Sequence, residues 1–162
     1  MTDVEQPTID YSGAAEFEAP HQSSGEKFIL FEVGGRVCGV PAASVLEVAH
    51  SLAVSAIPNS PKWLLGLAIF RGEPVAMVQP QAVISDFPRH QAARNLKTII
   101  FRGRDDETQL ALPVDRINEM ITRPETSEPD IGGHMDTVIR NDAPVLFVDP
   151  YKFIEEIKEG RR

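Results

Sequence analysis

Four histidines (His21, His50, His90 and His134) and an acidic run, Asp105-Asp106-Glu107, are the side chains best suited here to moving protons or holding a metal. Their spacing argues against both uses. No two histidines stand in an HxxxH relation, and no GxSxG, GxGxxG or GxxxxGKS/T string occurs. Ser44 and Ser60 adjoin turns and have no histidine placed to serve as base. The acidic run reads as a hairpin loop, and Glu155, Glu156 and Lys158 as the wet face of a final helix, where charge serves solvation. His134 follows Gly132-Gly133 and reads as part of a solvated loop. The one cysteine, Cys38, lies in the apolar run Val37-Cys38-Gly39-Val40. It excludes an internal disulfide and a cysteine zinc site, and it predicts a small buried hydrophobe. No catalytic set, cofactor site or metal site emerges, so the chain is expected not to be an enzyme.

One charged residue stands in unusual company. In GLAIFRGEPVAMV, residues 66–78, Arg71-Gly72 interrupts two apolar runs. A guanidinium at a strand end can hold backbone carbonyls or a partner's carboxylate with its planar fork. Gly72 admits a positive φ or a close approach. Arg71 is therefore expected to face a seam and not open water, either touching a partner or tying two parts of the fold together.

The elements that would position it are mostly strands. Residues 1–26 mix Asp, Glu, Gly, Ser, Pro and Ala without periodicity and read as a disordered acidic leader. Strands are predicted at 27–33 and 36–40 around a Gly34-Gly35 hairpin, at 45–48, and at 65–70 and 74–79, before a short helix at 80–85. Trp63, beyond the Pro-rich crossing 57–62, reads as a core plug. Further strands follow at 98–101, 110–113, 117–121, 137–139 and 144–148, then a helix over 150–158. The rhythm is a repeat. Ile29-Leu30-Phe31 returns as Ile99-Ile100-Phe101, roughly 70 residues on. Val40-Pro41 with Val45, Glu47 and Val48 returns as Leu112-Pro113 with Ile117, Glu119 and Met120, at a spacing two positions longer. Pro74 to Pro80 returns as Pro144 to Pro150 at the first spacing again, so two residues are inserted in the Gly103–Thr108 loop and lost before Thr137. Each half, about 27–90 and 91–158, is too small to bury much alone and is expected to share a core with the other.

Bulk numbers narrow the partners. Sixteen basic against 24 acidic residues give a net charge of −8, which argues against nucleic acid. No run approaches a membrane span of roughly 20 apolar residues, and the acidic N-terminus is unlike a signal peptide, so a cytoplasmic location is expected.

The run Val45-Leu46-Glu47-Val48, then Pro58, Pro61, Gly66 and Arg71-Gly72, then the strand Pro74 to Val78, closely resembles the CheW-like domain, the chemotaxis coupling family of bacteria. Leu112-Pro113-Val114-Asp115 resembles the family's second-half L-x-V-D stretch. The resemblance spans about 27–157 within a domain taken as 27–162. It implies a mainly β fold of two SH3-like five-stranded barrels with a shared core, short helices and a C-terminal helix. It also implies a non-catalytic adaptor without cofactors. Its partners would be the regulatory domain of a CheA-type histidine kinase and the cytoplasmic tip of a chemoreceptor, with recruitment to membrane receptor arrays. With no receiver domain following, the stand-alone adaptor is the type implied. Carried over by position, Val45 and Glu47 match partner-contact residues, Arg71 and Gly72 the R-G turn, and Ile99 and Ile154 the lining of a receptor groove. Three positions depart from the pattern. Gln79 replaces an Asp and removes a helix cap worth about 1 kcal/mol, Phe70 stands where Leu is commoner, and Ala49 where a polar residue is frequent. Two other readings stay open: a small-molecule-binding double barrel, and an adaptor in a kinase-independent scaffold.

Overall fold

The computed structural model describes residues 25–84, 97–124 and 135–161. Most of the proposed leader, and His21, His90 and His134, lie outside these; Gly25 and Glu26 already belong to the first strand. Ten strands follow in chain order: β1 Gly25–Val33, β2 Arg36–Pro41, β3 Val45–His50, β4 Leu64–Phe70, β5 Glu73–Val78, β6 Lys97–Arg102, β7 Gln109–Val114, β8 Arg116–Pro124, β9 Met135–Arg140 and β10 Ala143–Val148. Two helices, α1 Pro80–Val83 and α2 Pro150–Lys158, each follow a closing strand. The chain is mainly β, as expected.

The strands form two five-stranded sheets, ordered β8-β1-β2-β10-β9 (sheet A) and β3-β6-β7-β5-β4 (sheet B). Replacing each strand by its repeat equivalent turns one order into the other. The registers agree too: Ile29 faces Val40 in one hairpin and Ile99 faces Leu112 in the other. Gly103 N–H donates to the Thr108 carbonyl (2.7 Å) where Val33 faces Arg36, leaving four turn residues against two. The two-residue insertion is there. Its compensation falls between β8 and β9, where residues 125–134 are outside those described.

The sheets nevertheless do not follow the halves 27–90 and 91–158. Each takes two strands from one half and three from the other, because a 3-10 turn at Ala42–Ser44 carries the chain from β2 in sheet A to β3 in sheet B. Burial supplies the reason. Phe31, Val33, Cys38 and Val40 of β1–β2 meet Ile99, Phe101, Leu110, Leu112 and Val114 of β6–β7 in one shared core, capped by Val83, Phe153 and Ile154. The alternate residues of the same strands fill a second core behind each sheet. Phe28, Leu30, Val145 and Phe147 lie behind sheet A, and Ala68, Phe70, Val75, Met77, Ile100 and Ala111 behind sheet B. Strands buried on both faces read as unbroken apolar runs, which is how Phe28–Phe31, Ile99–Phe101 and Leu110–Leu112 appear.

The helices differ as their caps predict. Asp149 accepts hydrogen bonds from the N–H groups of Tyr151 (3.0 Å) and Lys152 (3.3 Å) and opens nine helical residues, while Gln79 makes no side-chain cap and α1 has four. Asp115 fastens the Gly34 turn by accepting from Gly34 N–H at 2.8 Å.

Beyond sheet B, the crossing segment pairs with β4: Ser55 and Leu67 exchange backbone bonds of 2.8 and 2.9 Å. This explains Gly66. A Cβ there would lie 2.3 Å from the Ser55 carbonyl oxygen and 2.8 Å from Val54 Cγ1. Gly66→Ala should therefore cost roughly 1–3 kcal/mol, the usual range for overpacking, in urea unfolding. An unchanged midpoint would show that the 51–63 crossing is not held against β4.

Candidate functional site

Because the inner strands are covered on both faces, solvent meets the sheets at their ends. Six of the seven exposed large hydrophobic residues among those described lie on end strands: Leu46 and Val48 on β3, Leu67 and Ile69 on β4, Met120 on β8 and Ile139 on β9. Among the described residues no strand pairing joins β3 to β4 or β8 to β9, so neither sheet is closed by backbone hydrogen bonds.

An ion pair spans each opening instead. Arg71, at the tip of the β4–β5 hairpin, binds the Glu47 carboxylate on β3. Arg140, ending β9, binds Glu119 on β8 at 2.7 Å. Glu47 and Glu119 are repeat equivalents, as are Val48 with Met120 and Ile69 with Ile139. The openings differ in which charge they show. At sheet B the Arg71 side chain is 68% exposed and Glu47 33%, whereas at sheet A Arg140 is 36% exposed and Glu119 56%. One face presents a guanidinium, the other a carboxylate.

Arg71 also adopts φ 50° and Gly72 φ 81°, the two positive values a two-residue type I′ turn requires. The matching turn uses Asn141 and Asp142 (φ 49° and 61°), residue types that tolerate this region. An arginine there carries strain of about 1 kcal/mol. Part returns through the Phe70 ring, whose centroid lies 5.2 Å from the guanidinium carbon; a leucine there would have no π face to offer. Gly72 is needed for its φ, since a Cβ there would meet nothing within 4 Å.

Sequence reasoning placed Arg71 at a seam away from water. The structure puts it at a hairpin tip in solvent, because the seam between the sheets is filled by the shared core. Of the other nominated residues, Glu47 and Gly72 come together with Arg71, and Val45 is half-buried on the same strand as Glu47, against the shared core. Ile99 and Ile154 do not join them; both side chains are buried in that core. Leu46, Val48, Leu67 and Ile69 were missed. In LLGLAIF six apolar residues surround one glycine, so alternation of wet and dry positions is invisible.

The remaining chemistry is inert or structural. Burial pushes the Cys38 thiol up to about 12 against the opposing pull of Arg36. Asp105 lies in the β6–β7 loop; Lys158 of α2, together with the Thr108 and Glu107 donors, holds its carboxyl well below the usual range. Arg104 adds a 3.5 Å contact to Glu155, so that loop clasps α2. His50 is exposed, its Nδ1 3.2 Å from Lys97 Nζ. No group of three or more potential metal ligands occurs among the described residues. The enclosed cavity in the shared core, bounded by Phe31, Leu110 and Phe153, measures about 10 Å³, room for one water at most. Trp63 packs partly against the shared core and, with Lys62, Gln81 and Ala82, lines an open cleft of about 330 Å³. No helix among the described residues is long and apolar enough to cross a membrane.

Comparison with known proteins adds two findings. Residues 27–157 match the CheW-like domain family. The fold is similar to the crystal structure of the scaffolding protein TtCheW from Thermoanaerobacter tengcongensis. That match has TM-score 0.65 and 17% identity, and covers 80% of this chain and 87% of that one. No curated protein matches.

Exposed pairs contribute little to stability. Arg71→Asn, which copies the second repeat's turn, should shift the unfolding free energy by less than about 1 kcal/mol, since lost pairing is offset by relieved strain. A loss above about 2 kcal/mol in urea titration, beyond what an exposed pair supplies, would make the pair a structural clasp.

Proposed function

The chain belongs to the CheW-like domain family, and from that premise we propose that it is a non-catalytic scaffold that couples chemoreceptor tips to a CheA-type histidine kinase in the cytoplasm. The observation that carries the reading is at the end strands of sheet B, where Leu46, Val48, Leu67 and Ile69 are exposed and a strained, largely exposed arginine at the β4–β5 tip pairs with Glu47 of β3. Strain kept at an exposed turn points to use. Apolar anchors around one charged group are what a docking surface requires: the aliphatics supply binding energy and the ion pair sets orientation.

The kinase's regulatory domain is itself CheW-like, and it is assigned here to the β3–β4 face, with Glu47, Arg71 and Gly72 at its centre and Val45 beneath. An interface burying roughly 1600 Å² in total is the ordinary size for such a contact. Ile99 and Ile154 support the shared core that holds β6 and α2, and the receptor's contact residues are not drawn from them. The small-molecule reading gains nothing from the apolar 10 Å³ cavity, which lacks both room and polar groups.

Glu47→Lys should lower retention of the purified kinase regulatory domain at least tenfold in a pull-down, since it puts two cations at the centre of the face. The thermal midpoint should move by no more than a few degrees. Failure of the unaltered protein to retain either kinase or receptor fragments would remove the proposal, and a collapsed midpoint would make Glu47 structural.

A further inference from the structure

Trp63 leads into β4 and α1 follows β5, so the two meet at the base of that hairpin, where Leu64 faces Val78. The Gln79 N–H donates to the Trp63 carbonyl at 2.7 Å and fixes the segments side by side. Between them lies the open cleft of about 330 Å³ lined by Lys62, Trp63, Gln81 and Ala82. From Leu64 to Phe70 the strand runs about 20 Å, so the cleft is well removed from Arg71 at the hairpin tip.

In the second repeat the corresponding position is engaged from within the chain. Tyr151 is the repeat equivalent of Gln81, and the Arg104 guanidinium carbon lies 5.3 Å from its ring centroid. Arg104 belongs to the longer β6–β7 loop, which also pairs with Glu155 and Lys158 of α2. The matching turn in the first repeat is Gly34-Gly35, which has no side chain to send toward α1. The helix α1 itself stops after four residues, turning Val83 into the core and leaving Gln81 exposed.

Trp63 and Ala82 give this cleft apolar surface and Gln81 an amide, while Lys62 is exposed and forms no ion pair among the described residues. We propose that the cleft binds an acidic segment of a partner protein, with an aromatic side chain of that segment against Trp63 and an adjacent carboxylate on Lys62. An open cleft of this size takes one such side chain and leaves the segment's backbone outside, whereas a free small molecule needs walls that cover most of its surface. The aromatic contact supplies binding energy, and the ammonium–carboxylate bond sets the segment's direction. The site is additional to the kinase contact assigned to the hairpin tip, and its failure leaves that assignment to the Glu47→Lys pull-down.

Charge makes the test discriminating. With a net charge of −8 the chain as a whole attracts cationic peptides, so preference for an acidic one has to come from a local cation. Trp63 is the chain's one tryptophan, so its emission and its indole N–H signal report on the cleft directly. The probe is a capped pentapeptide, phenylalanine with two glutamates on each side, titrated into the full chain. It should change the Trp63 emission saturably in the millimolar range and shift the amide signals of 62–64 and 81–82. Lys62→Glu should weaken that binding about fivefold or more and leave the thermal midpoint in place, since Lys62 is exposed. Equal or tighter binding of the lysine counterpart of the peptide overturns the proposal, as does the absence of any response at Trp63 or one confined to other residues. Saturation by free phenylpropionate at a tenth of the peptide concentration would assign the cleft to a small aromatic acid and also overturn it.

Discussion

Six strands, β1, β2 and β10 against β5, β6 and β7, bury both faces at once, and the rest of the molecule follows from that constraint. One face of each fills the shared core, the other fills the space behind its own sheet. Neither sheet can satisfy both demands alone. Exchange of strand pairs between repeats lets each repeat contribute to both sheets, so separating the halves would expose apolar surface on every inner strand. At about 1.5–3 kcal/mol for each fully buried large aliphatic or aromatic side chain, that exposure dwarfs the surface terms.

The same constraint decides where function can reside. Inner strands have no free face, so among the strands variation in contact chemistry is confined to β3, β4, β8 and β9. There the backbone leaves an opening, and among the described residues an Arg–Glu pair bridges each. Because such pairs add little stability at the surface, their charges can be exposed differently at the two openings without cost to the core. The outcome is a pseudo-symmetric body with unlike ends, guanidinium outward at one and carboxylate outward at the other.

Much of this was legible in the sequence. The near-constant offset between Ile29–Phe31 and Ile99–Phe101, and between Pro74–Pro80 and Pro144–Pro150, located equivalent strands. Its two-position excursion marked the loop between β6 and β7, and Gln79 in place of an Asp marked a helix without a side-chain cap. The exchange of strands was not legible, since an offset says which residues correspond and not which repeat each strand pairs with. Arg71 was singled out by its neighbours, but its partner lies 24 positions away on a strand reached through the crossing segment. Ile99 looked like a contact residue because family position carries no information on which way a doubly buried strand turns each side chain.

Methyl NMR of this protein titrated with an unlabelled CheA-type regulatory domain tests the central claim most directly. The account predicts that the Val48 and Ile69 methyls shift or broaden at stoichiometric kinase, while Ile99 and Ile154, sealed in the shared core, keep their positions. Perturbation at Ile99 and Ile154 with Val48 and Ile69 unmoved would contradict it.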